Sequence, residues 1–189
     1  MKDIEIRFGN HSDLNEIIEI YNECIDDENP SVAYESKLDS NHPPDWLIEK
    51  VNNQSLIIEK SNNEIRGFAH IGEFILAPEI SEFCQLGVYV KRIHRKSLIG
   101  ARLLLGVIKV ASSSGKDKIF SFVLESNTAS LRATKRVLNF LGVLPAVAFI
   151  RNAHCGIHIF ERNLKQGFNQ EEVHFFEKHI NTYFHTGVL

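Results

Sequence analysis

The segment 84–124 constrains the fold more than any other part of the chain. It begins with a short apolar strand and continues into a helix over 98–114, whose apolar residues recur at helical spacing. Gly115 is suited to end that helix, and Lys118–Leu124 has the apolar character of a buried strand. Two strands joined by a helical crossover lie parallel in one sheet. The segment therefore predicts a parallel strand pair with a helix packed on it.

Strands and helices alternate in the rest of the chain, which has 189 residues, 43% of them apolar. We expect strands at 3–8, 55–60, 64–74, 144–150 and 157–161, and helices at 14–25, shortly after Pro44, at 128–140 and at 171–184. The first of these helices has Ser12 or Asp13 as its cap, with Glu16 placed to form a capping box with Asp13. This order predicts an α/β or α+β domain, a mixed sheet of about seven strands with helices on both faces. We expect one domain over 1–189, with its core at 1–165 and a helical extension at 169–185.

The overall composition argues against several classes of function. The net charge is −3, so nothing in the balance of charges favours nucleic-acid binding. No apolar run approaches the length of a membrane span, and the N-terminus lacks an apolar signal segment. The three cysteines are scattered and lack the spacing of metal ligands. We therefore expect a cytoplasmic protein that binds neither nucleic acid nor membrane and has no metal site.

A run of positive charge coincides with the start of the central helix. Within the mildly acidic chain, five of the twenty-one lysines and arginines lie close together: Lys91, Arg92, Arg95, Lys96 and Arg102. Helix N-termini present unpaired N–H groups and the positive end of the helix dipole, which suits an anion such as phosphate. The alternative is a solvated basic turn, since runs of charge usually face water. The position at a helix start favours an anionic ligand.

Several motifs from Ile4 to Leu164 resemble those of the GNAT superfamily of acyl-CoA N-acyltransferases, most closely the phosphinothricin-acetyltransferase-like branch. The similar segments are Ile17–Glu23 of the first helix, Ala33–Glu35 with Pro43 and Trp46 in the substrate loop, Gly87–Val90 in the fourth strand, Arg95–Gly100 in the pyrophosphate loop and Asn127–Ser130 at the start of the fourth main helix. Leu98 stands where the family prefers its first glycine. Right-handed angles at Leu98 would preserve the loop, whereas a positive φ would be costly there.

The resemblance implies a donor, an acceptor and a set of binding residues. The donor is acetyl-CoA, and the acceptor is the amine of a small, amino-acid-like molecule. The cofactor-binding positions that follow are the amides of Ser97, Leu98, Gly100 and Ala101, the charges of Arg95 and Lys96, the strand backbone at Val88, Tyr89 and Val90, and Asn127 with Ser130. Asn127 is equally suited to capping its helix. Gly87 either marks a bulge that opens the strand or permits tight packing.

The residues for proton transfer depart from the family pattern. The family glutamate of the fourth strand corresponds to Gln85, whose amide cannot accept a proton near neutral pH. Glu35, Glu82 and His70 are possible substitutes, although isolated residues of these types are more often structural or solvated. The usual acid on the fourth helix corresponds to Thr134 or, with one inserted residue, to Lys135. A catalytically weakened acyl-CoA-binding module is therefore the alternative to an enzyme.

The last helix, at 171–184, lies beyond the part of the chain that the family resemblance covers. It carries more aromatic surface than a single buried face needs, from Phe175, Phe176, Tyr183 and Phe184. We expect it to pack on the domain or to lie at the contact of a homodimer.

Overall fold

The computed structural model describes residues 4–27 and 36–180, which form a seven-stranded sheet in the order β1-β2-β3-β4-β5-β7-β6. The strands are β1 Ile4–Phe8, β2 Leu56–Ser61, β3 Glu64–Glu73, β4 Phe83–Val90, β5 Lys118–Leu124, β6 Asn139–Ile150 and β7 Ala153–Asn163. Neighbouring strands are antiparallel except β4 and β5, which pair in parallel. The structure thus confirms the predicted parallel pair and the mixed sheet.

The helices cover both faces of the sheet, as predicted. They are α1 Leu14–Ile25, α2 Asp45–Asn52, α3 Ile99–Ser113, α4 Thr128–Thr134 and α5 Gln170–His179. α1 and α2 bury Ile17, Ile18 and Leu47 against one face, together with Phe68 of β3. α3 packs on the other face against β2, β3 and β4, and its apolar side chains share one core cluster with those of β5 and β7. Burying apolar stripes of helices on a sheet is the main source of stability in such a fold.

The start of α1 differs from the prediction. The capping box is formed by Asn10 and Asp13, around a single 3-10 turn at His11–Asp13 that precedes the helix. Asp13 is buried and forms a bidentate pair with Arg7 of β1, at 2.7 and 2.9 Å. Glu16, predicted to complete the box, instead accepts a hydrogen bond from the Ile65 amide at 3.0 Å. The predicted capping box was therefore three residues too late.

The chain between α4 and β7 also corrects the prediction. The helix predicted over 128–140 ends at Thr134, and Leu141 and Gly142, taken as its end, lie within β6. The apolar segment Asn139–Ile150 pairs with β7 in the structure, so strand pairing outweighs local helix propensity. The β6–β7 hairpin turns at Arg151 and Asn152, whose φ values of 51° and 63° suit a two-residue hairpin turn.

α5 packs on the domain, which confirms one of the two roles predicted for the last helix. Phe176 is buried beside the side chains of α3, and Phe175 lies partly against the same core. A buried ion pair between Arg162 of β7 and Glu172 of α5 fixes the helix in place. Tyr183 and Phe184, which the prediction included, lie outside the described residues.

Within the described ranges, no helix combines the length and the apolar content needed to cross a membrane. The same residues include no group of three or more His, Cys, Asp or Glu placed to hold a metal ion.

Candidate active site

A wedge opens in the middle of the sheet between β4 and β5. The two strands pair only from Phe83–Lys118 to Gln85–Phe120, and beyond that point they separate. β4 is the fourth of seven strands, yet every residue from Gln85 to Val90 retains partial solvent contact. Beyond Gln85, β5 therefore provides no partner for the β4 backbone groups that face it. These N–H and C=O groups are available to a ligand in the wedge.

The N-terminus of α3 lies beside the far end of β4. A Cβ atom on Gly100 would meet only Val90 Cγ2, at 3.8 Å, and would otherwise stand in open space. Leu98 precedes the helix and makes no side-chain capping hydrogen bond. The first-turn amides of Gly100 and Ala101 have no intrahelical acceptor, as at the start of any α-helix. This uncapped and open helix end fits the diphosphate of a nucleotide cofactor.

The conformation of Leu98 settles whether the loop can do without a glycine there. Leu98 has right-handed angles, φ −78° and ψ −1°, so its side chain causes no backbone strain. The left-handed residue of the loop is Lys96, with φ 62°. Ser97 donates a hydrogen bond to the His94 carbonyl oxygen at 2.7 Å, which braces the turn. The loop thus keeps its amides at the start of the helix with leucine at position 98.

Most of the positive charge near this loop is already paired. Four of the five basic side chains contact carboxylates: Lys91 pairs with Glu64, Arg92 and Arg95 with Asp27, and Arg102 with Glu59. Arg95, predicted to add charge to the phosphate site, also donates from Nε to the Val90 carbonyl oxygen at 3.0 Å. Lys96 alone of the five has no ion pair among residues 4–27 and 36–180. The basic run therefore serves mainly to attach the loop to α1 and to the sheet.

A buried charged cluster anchors the first turn of α3. Arg102 donates two hydrogen bonds, at 2.8 and 2.7 Å, to the carboxylate of Glu59 on β2, which is fully buried. Arg66 of β3 donates a third at 2.7 Å. Bidentate arginine–carboxylate pairs are geometrically specific, so the helix start is held in a fixed orientation. A charged residue inside the apolar strand Leu56–Ser61 was the sequence signal for this cluster.

Asn127 and Ser130 act together at the start of α4, just beyond the end of β5. Asn127 Oδ1 accepts a hydrogen bond from the Ser130 amide at 3.1 Å. The predicted capping role of Asn127 is confirmed. A contact of the same two residues with the cofactor stays a prediction.

Gly87 makes room for two ring side chains on the face of β4 that meets α1 and α2. It pairs with His70 of β3 in a regular antiparallel register without a bulge. A Cβ atom there would lie 2.8 Å from His70 Nε2 and 2.9 Å from Tyr89 Oη. The bulge considered for Gly87 is therefore wrong, and the tight-packing alternative is correct.

The side chain of His70 on β3 lies over Gly87 of β4 and is largely buried, but it keeps some solvent contact. Burial, together with the nearby charge of Lys50, lowers the pKa of His70 to about 3, although a backbone hydrogen bond at Ile71 opposes the shift. Its Nδ1 is buried without a hydrogen-bond partner in the described part of the chain. The imidazole is therefore neutral near pH 7. It can form hydrogen bonds but is only a weak base.

The other residues considered for proton transfer fall in different places. Gln85 lies at the opening of the wedge, and its buried Oε1 has no partner among the described residues. Glu82 is exposed before β4, and Glu35 lies outside the described residues. Thr134 is the last residue of α4 and is only 4% exposed. Lys135 is exposed, with Nζ 5.8 Å from the centroid of the Phe140 ring.

Lys50 is a polar residue on the α1 and α2 face of the sheet that was not predicted from the sequence. Lys50 of α2 donates from Nζ to the Ile71 carbonyl oxygen at 2.9 Å. Trp46, one helical turn earlier, stands 5.8 Å from His70 between ring centroids. The spacing of Trp46 and Lys50 places both on one face of the short helix, and that was the available signal.

The tip of the β6–β7 hairpin reaches the end of α1. Arg151 Nη2 donates to the Ile25 carbonyl oxygen at 3.3 Å. An arginine at a helix C-terminus is favourable because the carbonyl groups there carry partial negative charge. This contact brings the hairpin to the side of the sheet where His70 and Gln85 lie.

Comparison with known proteins agrees with this architecture. Residues 14–140 match the model of the acetyltransferase (GNAT) family. The chain is 20% identical over 161 residues to YwnH of Bacillus subtilis (strain 168), a provisional phosphinothricin acetyltransferase, covering 84% of this chain and 98% of that protein. This relative supports the predicted branch of the superfamily.

Two solved structures illustrate the similarity of fold. An N-acetyltransferase from Staphylococcus aureus Mu50 superposes with a TM-score of 0.78 at 24% identity, covering 85% of this chain and 98% of the other. The yncA protein of Salmonella typhimurium, a provisional acetyltransferase solved with its cofactor acetyl-CoA, gives 0.79 at 20% identity, covering 86% and 94%. The family model spans about two thirds of the chain, and the wedge and the uncapped helix lie within it. The chain therefore belongs to the acetyltransferase (GNAT) family.

Proposed function

We propose that this acetyltransferase transfers the acetyl group of acetyl-CoA to the amine of a small, amino-acid-like molecule. The observation that carries the proposal is the open central strand. β4 is half-exposed from Gln85 to Val90 in the middle of the sheet, and it leads to the uncapped start of α3. Polar side chains line the α1 and α2 face of the same strand. A donor in the wedge and an acceptor on that face would meet at the β4 backbone.

The residues of the chain divide the work of holding the donor. The amides of Ser97, Leu98, Gly100 and Ala101 bind its phosphates, with Lys96 adding charge, and Asn127 with Ser130 borders the other side of the wedge. Bound acetyl-CoA supplies an acetyl thioester that an amine can attack. Backbone N–H groups between Val88 and Val90 donate to the charge that develops on the acetyl oxygen. Because these groups are fixed by the sheet, they need little rearrangement.

Transfer proceeds by direct attack, without an acyl-enzyme. Cys84 is buried, and burial raises the pKa of its thiol to about 12, so it is a poor nucleophile. Cys24 is also buried. Gln85 accepts a hydrogen bond from the amine but cannot take its proton, so water removes it. Thr134 stays our proposed position beside the departing thiolate: its hydroxyl donates a hydrogen bond to the sulfur, and water returns to the sulfur the proton taken from the amine.

We further propose a homodimer. β6 is the edge strand of the sheet and exposes large apolar side chains: Phe140, Leu141, Val143, Leu144, Val147 and Phe149. An exposed apolar edge invites association. Sedimentation velocity should give about twice the monomer mass, and Phe149→Lys should shift the distribution toward monomer.

The donor site is tested by calorimetry with coenzyme A. The wild-type protein should bind, whereas Gly100→Asp, which places a carboxylate at the start of α3, should show no heat. Gln166→Asp is the control for added charge, because Gln166 is exposed in the turn after β7. Equal binding by both variants would contradict the proposed donor site.

Catalysis is tested by thiol release from acetyl-CoA across a panel of amines. We expect release that increases with pH as the amine loses its proton. The competing function is an acyl-CoA-binding module, which the amide of Gln85 and the burial of Thr134 favour. Binding of coenzyme A without thiol release from any amine up to about pH 9 would decide for that module.

A further inference from the structure

The ammonium group of Lys50 is half-buried and, among residues 4–27 and 36–180, it has no ion pair with a carboxylate. Its one hydrogen bond within the same residues goes to the Ile71 carbonyl oxygen. Burial lowers the pKa of Lys50, while the exposed Glu49 and Glu73 act weakly in the other direction. A cation removed from water is costly unless an anion compensates it. Two of its three N–H donors remain for a ligand.

The fold makes room for this ammonium group. A Cβ atom on Gly72 would lie 2.8 Å from Lys50 Nζ, so the lysine occupies space that only glycine leaves free. Gly72 pairs with Gln85 across β3 and β4. Directly opposite residues of antiparallel strands have Cβ positions about 5 Å apart on the same face of the sheet, so Lys50 Nζ lies close to the start of the Gln85 side chain.

Gln85 adds a hydrogen-bond acceptor near the Lys50 donor. Its Oε1 is buried without a partner in the described residues, and an amide oxygen only accepts hydrogen bonds. Buried polar atoms without partners are rare in proteins and point to a water or a ligand. His70, opposite Gly87 on the same face, is neutral and brings no competing charge.

A molecule that carries an amine and a carboxylate a few bonds apart satisfies both groups. The carboxylate accepts from Lys50 Nζ, and the amine donates to Gln85 Oε1 at the opening of the wedge. We propose that Lys50 is the residue that selects acceptors with a free carboxylate beside the amine, in preference to amides and peptide N-termini. This inference rests on the proposed acetyltransferase function and specifies its acceptor.

Paired acceptors test the inference. Thiol release is measured with the twenty amino acids and with their carboxamides, which keep the amine and lose the negative charge. The wild-type protein should favour the free acid by about 10- to 100-fold in kcat/KM, the range for a charge-assisted hydrogen bond. Lys50→Met should abolish that preference by raising KM for the acids, so that acids and carboxamides then react with similar kcat/KM. Lys165→Met is the control, since Lys165 is exposed, pairs with Asp117 and lies in the turn after β7 that contacts α3, on the other face of the sheet.

A second variant guards against a folding defect. Gly72→Ala keeps Lys50 but displaces its ammonium group, so it should also reduce the preference for acids, and thermal unfolding confirms that both variants are folded. Loss of rate toward acids and amides alike would overturn the role of Lys50. If coenzyme A binds but no acceptor reacts, the proposed function fails instead. The carboxylate site is then read from thermal stabilisation by amino acids in saturating coenzyme A. Equal stabilisation of wild type and Lys50→Met would overturn it.

Discussion

At the scale of single residues, the proposed site has the amide of Gln85 where the family pattern has a glutamate that can act as a base. Gln85 lies at the last residue pair before β4 and β5 separate, and its side-chain oxygen is buried without a partner in the described chain. The amide can hold an amine but cannot remove its proton. The substitution therefore leaves proton removal as the slow point of the proposed reaction.

Gln85→Glu should raise kcat about 10- to 100-fold, because a positioned general base contributes about that much or more. KM for carboxylate acceptors should rise at the same time, since the new carboxylate competes for Lys50. Steady-state rates from pH 6 to 9 would show a new ionisation in the kcat profile. Gln54→Glu is the control, as Gln54 is exposed in the turn after α2. An unchanged kcat and pH profile would mean that position 85 does not contact the amine.

Gly87→Val should destabilise the protein and close the acceptor side of the site. The added atoms would collide with His70 and Tyr89, whose rings are stacked 5.8 Å apart. Overpacking of this kind costs about 1–3 kcal/mol of unfolding free energy. Urea denaturation measures the loss, and Ala153→Val, at the exposed start of β7, is the comparison. Full stability and full activity of Gly87→Val would show that the rings can move aside.

Single residues also show the limit of sequence reasoning. The loop motif predicted a phosphate-binding loop at the start of α3. In the structure, Leu98 has right-handed backbone angles, so the loop does not need a glycine at this position. Lys50 and Gly72 could not be paired from sequence, because the contact depends on how α2 lies on β3. The same holds for the salt bridges of Arg92 and Arg95 with Asp27, which depend on the position of α1.

At the scale of elements, α5 is held by one buried ion pair. Arg162 donates to both oxygens of Glu172, and one of these hydrogen bonds measures 2.7 Å. Glu172 also accepts from the Asn169 amide at 2.9 Å as part of a capping box. The polar part of the attachment of α5 thus depends on a single carboxylate, next to the apolar packing of Phe176.

Glu172→Gln should lower the unfolding free energy by about 2–4 kcal/mol, because it leaves the buried Arg162 without a counter-charge. Glu171→Gln, at the exposed neighbouring position, should change it by less than about 0.5 kcal/mol. Denaturant midpoints at pH 7 measure both. Equal midpoints for the two variants would show that packing of Phe176 alone holds the helix.

Element boundaries could be predicted where the sequence periodicity was clear. The predictions were wrong where the pattern of a segment does not reveal the strand it pairs with. β5 was predicted with its observed bounds because a short apolar run between turns has few alternatives. The segment after Thr134 was assigned to a helix, since its local pattern does not show that β7 lies beside it. The β6 bulges around Leu141 and Pro145 further weaken any period-two signal.

At the scale of the whole molecule, stability should fall on acidification in two stages. The lowered pKa of His70, about 3, means that the unfolded chain binds a proton near pH 6.5 that the folded chain refuses. Burial raises the pKa values of Asp13 and Glu172, but the hydrogen bonds and charges of Arg7 and Arg162, together with backbone hydrogen bonds from Asn10 and Asn169, outweigh it, so both pKa values are lowered. Their contribution is complete above about pH 4 and is lost as the pH falls through their folded pKa values.

His70→Asn should therefore remove the first stage, worth on the order of 2–4 kcal/mol between about pH 7 and pH 4. His174→Asn, on the exposed side of α5, should leave it in place. Urea unfolding at half-unit pH steps gives the slopes. A wild-type profile that is flat across this window would show that His70 protonates freely in the folded protein.

The small number of residue pairs between β4 and β5 has a mechanical consequence. With pairing only from Phe83 to Gln85, the sheet is two stiff half-sheets joined by a short seam at one end. Any molecule that grips the facing edges of both halves acts as a crosslink across the gap. A molecule bound between β4 and β5 therefore adds to the rigidity of the sheet across this seam, and the rigidity should fall each time that molecule leaves.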